Sequence, residues 1–245
     1  MRAFLSVLLL SAAAGLQAAE IKVLSSTALK SVLAELGPQF EKATGHKVAA
    51  QFAPAAELKA RIDKGEAFDV AILTTPLMDE LAKHSRIAVG SRLDLARAGA
   101  GVAIRKGAPR PDIATAESFK RTLLAAKSVA YVGTGATAAN IRAVFERLGI
   151  ADEMKAKTKL LSGIGAADAI AKGEAELGFT QVSEILGIEG AELAGPLPPE
   201  LQVYTVFPAA GSASAREPEA AVQFLRYLKT PEAAKVIRAK GMEPG

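Results

Sequence analysis

The sequence has no cysteine, no tryptophan and only two histidines, and these absences exclude several kinds of site. Without thiols the chain has no disulfide bond, no cysteine-ligated zinc and no thiolate nucleophile. The spacing of His46 and His84 suggests no metal site, so we predict no metal and no cofactor and expect both side chains at the surface. The formal net charge of +4 is scattered, without the basic stripe that is typical of nucleic-acid-binding proteins.

Residues 1–19 have the pattern of a secretory signal peptide. Arg2 supplies a positive charge, 4–10 is an apolar run, and Ala18 and Ala19 are small residues suited to cleavage. The apolar run is too short to span a bilayer comfortably. We therefore expect an exported protein whose mature chain begins near residue 20.

After the leader, short β-rich runs alternate with amphipathic helical patterns, which is typical of an α/β fold. The runs with a strand pattern are 21–24, 47–52, 69–73, 102–105, 128–132, 159–161, 177–180 and 201–207. Glycines and prolines separate them into two similar series. We predict two lobes, residues 20–100 with 206–245 and residues 101–205, joined by crossovers near 96–102 and 203–208. A small ligand would bind in the cleft between the lobes.

Four loop-to-helix junctions are built from small residues and follow predicted strands, at the edge where open α/β sheets bind ligands. They are residues 25–28, 53–56, 133–137 and 162–165. The first amides of a helix and its positive dipole end bind anions without lysine or arginine. Their candidate polar side chains are Ser25, Ser26, Thr134 and Thr137. Ordinary helix capping would explain any one junction, whereas four together favour an anion site.

Four longer stretches carry a family resemblance through their order and spacing. They are IKVLSSTALKSVLAELGPQFEKATGHKV, FDVAILTTPLMDELAK, LGFTQVSEI and AVQFLRYLKTPEAAKVIRAKG. The mature chain resembles the periplasmic binding proteins of ABC uptake systems, in particular the molybdate-binding branch. The resemblance implies a type II periplasmic-binding-protein fold, with two lobes that are each a mixed, mostly parallel sheet flanked by helices. It also implies a periplasmic monomer that closes over a small anionic ligand and delivers it to an ABC permease in the inner membrane.

The first lobe departs from the molybdate binders at two positions that the resemblance assigns to serine. One of these positions matches Ala28, with Ser26 and Thr27 beside it as substitutes. The other falls in the loop at Pro54 and Ala55, which has no hydroxyl. Each hydrogen bond to a charged group is worth about 1.5–3 kcal/mol, so losing two argues against tight molybdate binding.

The second lobe keeps backbone donors but loses a tyrosine. The resemblance implies donors at Ala136 and at Gly163, next to Ile164, and it places Gln181 where the molybdate binders have the tyrosine. The amide of Gln181 both donates and accepts, which favours a small organic acid over a molybdate- or tungstate-like oxyanion, although both stay open. Glu184 follows at three residues, and we expect it to begin or cap a short helix, with a place at the rim of the cleft as the alternative.

Enzymatic alternatives find little support in the sequence. Gly133, Gly135 and Ala138 fit a relaxed dinucleotide-binding pattern, but the next strand ends in Ser162 rather than in the acid that would hold a ribose. No G-x-S-x-G occurs, and neither histidine is placed to serve a nucleophile. We expect a binding protein that catalyses nothing. The alternative is a periplasmic sensor or scaffold with the same fold and no transport role.

Overall fold

The computed structural model describes residues 18–162 and 164–245. Almost all of the leader predicted at 1–19, and Gly163 among the candidate ligand-binding residues, therefore lie outside the described residues. None of the helices within the described ranges combines the length and the apolar character needed to cross a membrane.

Strands and helices alternate along most of the described chain. The strands are β1 (Glu20–Ser26), β2 (Lys47–Ala53), β3 (Val70–Ile72), β4 (Leu93–Arg105), β5 (Val129–Val132), β6 (Thr158–Leu161), β7 (Leu177–Gln181), β8 (Ala191–Pro196), β9 (Tyr204–Gly211) and β10 (Glu243–Pro244). The helices are α1 (Lys30–Thr44), α2 (Ala55–Asp63), α3 (Thr75–Lys83), α4 (Ala116–Ala125), α5 (Gly135–Arg147), α6 (Ala151–Lys157), α7 (Ala166–Ala171), α8 (Val182–Ile185), α9 (Pro218–Tyr227) and α10 (Pro231–Ala239). A 3-10 turn, Thr27–Leu29, joins β1 to α1.

The strands form one mixed sheet in the order β2-β1-β3-β9-β4-β7-β5-β6, with β10 and β8 also paired to β4. In the first sheet half, β1 pairs in parallel with β2 and β3. In the second sheet half, β5 pairs in parallel with β6 and β7. The long strand β4 belongs to both halves, because it pairs with β9 up to Gly99 and with β7 from Ala100 onwards.

Helices cover the sheet halves and bury separate apolar cores. In the first half, Phe40 of α1 meets Phe224 of α9 edge to face, with ring centroids 5.0 Å apart. In the second half, Phe119 of α4 meets Phe179 of β7 at 6.1 Å. The α/β fold that the sequence predicted is thus confirmed. The lobe limits at residues 100 and 206 stay a prediction.

One expectation about the histidines was wrong. His84 is exposed, but His46 is only 4% exposed. The imidazole of His46 stacks on the ring of Phe40, and its Nδ1 accepts a hydrogen bond of 3.1 Å from the amide of Ala19. His46 is therefore part of the structure that holds the start of β1.

Candidate functional site

The three parallel strands of the first sheet half end at one edge. Ser25 lies beside Ile72 of β3, and Ser26 lies beside Ala53 of β2. The turn Thr27–Leu29 and the starts of α2 and α3 follow these strand ends directly. The structure therefore brings the two junctions predicted in the first lobe to the same edge.

The side chains at the end of β1 differ in what they offer a ligand. Ser25 is fully buried, and its hydroxyl donates to the carbonyl of Ser26 at 3.2 Å. Ser26 is 7% exposed and precedes the 3-10 turn without a side-chain capping bond, so its hydroxyl is not committed to the turn. Thr27 is exposed, whereas Ala28 is buried and has no polar side-chain atom. Ser26 and Thr27 are the hydroxyl donors available here.

The start of α2 offers an anion only backbone donors, and its first turn also carries the acidic side chain of Glu57. Pro54 is exposed and occupies the N-cap position, and its carbonyl accepts from the amides of Glu57 and Leu58 at 2.9 and 3.1 Å. Ala55 follows and is half-buried. Because proline has no N–H, any anion at this junction depends on the first amides of the helix, at Ala55 and Ala56.

The parallel strands of the second sheet half also end at one edge. Val132 at the end of β5 lies beside Leu161 at the end of β6. Thr134 is exposed at the N-cap of α5, without a side-chain capping bond, and Thr137 is half-buried in the first turn. Ala136 belongs to the same first turn. Ile164 is half-buried just before α7. These positions suit backbone donation, and their contact with a ligand stays a prediction.

The segment from β7 into α8 concentrates buried polar groups. Gln181 is 7% exposed, and its side chain faces the backbone amide of Glu184 in a capping-box arrangement. Its Oε1 has no partner at hydrogen-bonding geometry among the described residues. The same holds for the hydroxyl of buried Ser183. The hydroxyl of Thr180 donates to Oε2 of Glu184, and the amide of Gln181 lies 3.5 Å from the same oxygen. Burial raises the pKa of the Glu184 carboxyl, and the two hydrogen bonds oppose that rise.

The edges of the two sheet halves meet at this segment, because α8 contacts the turn Thr27–Leu29. Within the described ranges, four buried side-chain polar atoms have no partner. Three of them belong to Ser31, Gln181 and Ser183, in or next to the two contacting segments. Buried polar atoms in native proteins are rarely left unpaired. Their concentration here indicates a place where ligand or water atoms complete the hydrogen bonding.

Two surface hollows of about 230 Å³ lie elsewhere. One lies between α1 and β2, and the other is lined by residues that include Arg97, Tyr204 and Glu243. Neither contains a predicted ligand-binding residue, although Val182 in the second is next to Gln181. The candidate site is therefore defined by converging strand ends and unpaired buried atoms. Within the described ranges no group of three histidine, aspartate or glutamate side chains is arranged to hold a metal ion.

The sequence offered Glu184 either a place in a short helix or one at the rim of the cleft, and assigned it no chemical role. Its place in a short helix is confirmed, since α8 spans Val182–Ile185. The signal in the sequence was the three-residue spacing of Glu184 from Gln181. The burial that raises the pKa of Glu184 depends on the turn Thr27–Leu29, which is distant in sequence and packs against α8.

Comparison with known proteins covers almost all of the described chain. A family model described as bacterial extracellular solute-binding protein matches residues 21–243. The chain is 34% identical over 229 residues to a protein named aconitate isomerase from Pseudomonas sp., covering 91% of this chain and 87% of that protein. It is 30% identical over 261 residues to the molybdate-binding protein ModA of Azotobacter vinelandii, covering 97% of each.

A solved structure agrees in fold. The periplasmic molybdate-binding protein of Azotobacter vinelandii superposes with a TM-score of 0.78 at 22% identity, covering 92% of this chain and 99% of that one. The resemblance stated from the sequence is thereby confirmed, and this chain belongs to the family of bacterial extracellular solute-binding proteins.

Proposed function

We propose that this protein is an extracytoplasmic receptor that captures a small organic carboxylate between two lobes and presents it to an ABC permease. The observation that carries the proposal is the contact between the turn Thr27–Leu29 and α8, where unpaired buried polar atoms gather. In this proposal residues 20–100 with 206–245 form one lobe and residues 101–205 form the other. The ligand is held by Ser26, Thr27, Gln181 and the first amides of α2, α5 and α7.

A carboxylate suits this arrangement better than molybdate. Ala28 and Pro54 provide no hydroxyl, so two donors for a small tetrahedral anion are missing. The buried Oε1 of Gln181 needs a donor, which a hydroxy acid or a partly protonated polyacid supplies and a fully ionised oxyanion does not. The relative named aconitate isomerase supports a carboxylate ligand, and the relatives named molybdate-binding proteins support the oxyanion alternative.

Binding works through closure in this proposal. The strand β4 pairs on both sides of the boundary between the sheet halves, so the two lobes can rotate about it without unfolding. A ligand that contacts both the turn Thr27–Leu29 and Gln181 stabilises the closed form relative to the open form. The permease then recognises the closed surface.

Isomerisation is a second candidate function, favoured by the 34% identity to the protein named aconitate isomerase. Aconitate is an unsaturated tricarboxylate, and it would occupy the same carboxylate site. A receptor releases its ligand unchanged, whereas an isomerase releases the other isomer. They are separated by incubating the protein with cis-aconitate and following the trans isomer.

Thermal unfolding of the mature chain tests the carboxylate proposal. The panel contains molybdate, tungstate, sulfate, phosphate, malate, citrate and both aconitate isomers. A ligand at 100 times its dissociation constant adds about 2.7 kcal/mol of stability if it binds only the folded state. We expect a large upward shift with one or more carboxylates. A shift with molybdate or tungstate alone would contradict the proposal.

Export is part of the same proposal. Cleavage of the leader after Ala18 or Ala19 would place the mature chain in the periplasm, where the permease can receive it. N-terminal sequencing of the protein from an osmotic-shock fraction tests this step. Recovery of the uncleaved chain from the cytoplasmic fraction would contradict it.

A further inference from the structure

We propose that Glu184 is an acid–base residue that moves a proton between two carbons of a bound unsaturated carboxylate. The inference rests on the proposed function, since it requires a carboxylate at the edge where α8 meets the turn Thr27–Leu29. It goes further in assigning a chemical step to a side chain that a passive receptor would use only as a helix cap.

The position of the carboxylate carries the inference. Glu184 folds back over the end of β7, where its Oε2 accepts from the hydroxyl of Thr180 and approaches the amide of Gln181 at 3.5 Å. Neither contact uses Oε1, and within residues 18–162 and 164–245 that oxygen has no recorded hydrogen bond, so a ligand can reach it in this proposal. The partnerless Oε1 of Gln181 and hydroxyl of Ser183 lie on the same short segment. One carboxylate is therefore held beside the polar groups that a ligand would complete.

The surroundings of Glu184 suit a stronger base than a surface carboxylate. Burial is the largest influence on the pKa of its carboxyl and raises it, so the ionised form binds a proton more readily than a surface carboxylate does. Gly241 after α10 approaches α8, and the neighbouring Lys240 pairs with Glu35. The elements in most extensive contact with α8 are the turn Thr27–Leu29, β4, β7 and β8. The charged residues among them are Asp94, Arg97, Arg105 and Glu192.

Two of these charges already have partners. Arg97 pairs with Glu243, and Glu192 pairs with Arg110. Asp94 and Arg105 lie near the two ends of the long strand β4. The turn and β7 carry no charged side chain. Glu184 therefore has no cation among these elements that would neutralise it, which keeps its carboxylate basic.

The reaction is a balanced proton shift. The Glu184 carboxylate removes a proton from the CH₂ next to the double bond, and the C–H electron pair becomes a new C=C bond while negative charge moves onto a ligand carboxylate. Helix amides at the sheet edge stabilise that charge. The Glu184 carboxylic acid then returns the proton to the far end of the allylic unit. The double bond moves by one position, and no oxidant or reductant is needed.

Exchange in D₂O tests the inference, with cis-aconitate as the probe. Proton NMR follows loss of the CH₂ signal and appearance of the trans isomer, and calorimetry measures binding separately. The variant Glu184→Gln keeps the size and the hydrogen-bond acceptor but cannot take up a proton. We expect its exchange rate to fall at least about 100-fold while its dissociation constant changes less than about threefold. The control Glu189→Gln, at an exposed position after α8, should exchange like the wild type.

A second variant covers the case in which Glu184→Gln does not fold. Thr180→Val keeps the shape of the side chain but removes a hydrogen bond that lowers the pKa of Glu184. The exchange rate should then reach its plateau at a higher pH than in the wild type. An unchanged pH profile would overturn the inference.

The two proposals fail in different ways. If cis-aconitate binds but the wild type catalyses no exchange above buffer, the acid–base role is wrong and the receptor stands. If Glu184→Gln exchanges as fast as the wild type, the role is also wrong. If calorimetry detects no binding of any carboxylate, the proposed function fails and this inference with it.

Discussion

Gln181 and Asp69 are both buried polar residues, yet their hydrogen bonding differs completely. Asp69 accepts from the amides of Lys22 and Arg216, at 2.8 and 2.7 Å, and so ties β1 to the segment before α9. The Oε1 of Gln181 has no partner in the described residues, which distinguishes a group available for binding from one used for folding.

Replacing Gln181 with leucine tests its role at the residue scale. We expect Gln181→Leu to weaken carboxylate binding at least about tenfold, because one hydrogen bond to a charged ligand is worth about 1.5–3 kcal/mol. The melting temperature should stay the same or rise, since an unpaired buried atom is removed. Calorimetry and thermal unfolding measure the two effects, with Gln223→Leu on α9 as the control. Unchanged affinity would remove Gln181 from the site.

The contribution of Glu66 to the free energy of unfolding should depend on pH. Hydrogen bonds from Arg61 and Lys22 lower the pKa of Glu66 from 4.5 to about 2. Because the pKa of the folded state lies below that of the unfolded state, the stabilisation is present above about pH 4.5 and is lost as the pH falls towards 2. We expect Glu66→Gln to lower the free energy of unfolding by about 1–2 kcal/mol at pH 7 and little at pH 2, measured in urea. An equal loss at both pH values would contradict this account.

At the scale of elements, α8 is held from more than one side. The turn Thr27–Leu29 contacts it, and Gly241 after α10 also approaches it closely. A Cβ built on Gly241 would lie 2.7 Å from side-chain atoms of both Val182 and Leu186. The position of Gln181 and Glu184 therefore depends on a glycine near the C-terminus.

Comparing Gly241→Ala with Gly107→Ala separates the cost of backbone strain from the cost of crowding Val182 and Leu186. Both glycines have positive φ, +75° and +79°, but the Cβ at Gly107 would meet nothing within 4 Å. Each variant should lose about 1 kcal/mol from backbone strain. Gly241→Ala should lose more, by roughly 1–3 kcal/mol of overpacking, and should also weaken ligand binding. Equal losses in thermal unfolding, with equal affinities, would show that the contact does not position α8.

The sequence predicted most elements but not the contacts between them. The strands and the small-residue junctions follow from local apolar periodicity and from glycine, which is why β1, β5 and β7 were predicted near their observed bounds. The elements α4, α6 and β8 were not predicted, because polar residues interrupt their apolar patterns. His46 was misplaced because its burial depends on Phe40 and Ala19, and the neighbouring Gly45 suggested an exposed loop.

In the whole molecule, the two sheet halves join along β4, next to the side chain of Gln202. The side chain of Gln202 bonds both backbone groups of Ala100, accepting from the amide at 2.8 Å and donating to the carbonyl at 2.9 Å. Ala100 is also the residue from which β4 pairs with β7. The backbone of β4 is therefore hydrogen-bonded on both sides of the boundary between the proposed lobes. A strand that stays paired in this way suits a hinge about which the lobes rotate.

Closure of the two proposed lobes should change the shape of the molecule. Small-angle scattering of the mature chain should give a smaller radius of gyration with a proven ligand than without it, because the ligand bridges the turn Thr27–Leu29 and the β7–α8 segment. Gln181→Leu at the same ligand concentration should show a smaller change. Identical curves for the free and the saturated wild type would contradict closure.

The most direct test of the carboxylate receptor is a calorimetric titration of the mature protein with cis-aconitate, citrate and molybdate under identical conditions. We expect at least one carboxylate to bind at least tenfold more tightly than molybdate, since Ala28 and Pro54 supply no hydroxyl to an oxyanion. Tighter binding of molybdate than of every carboxylate would contradict it and would show that backbone amides alone hold the oxyanion.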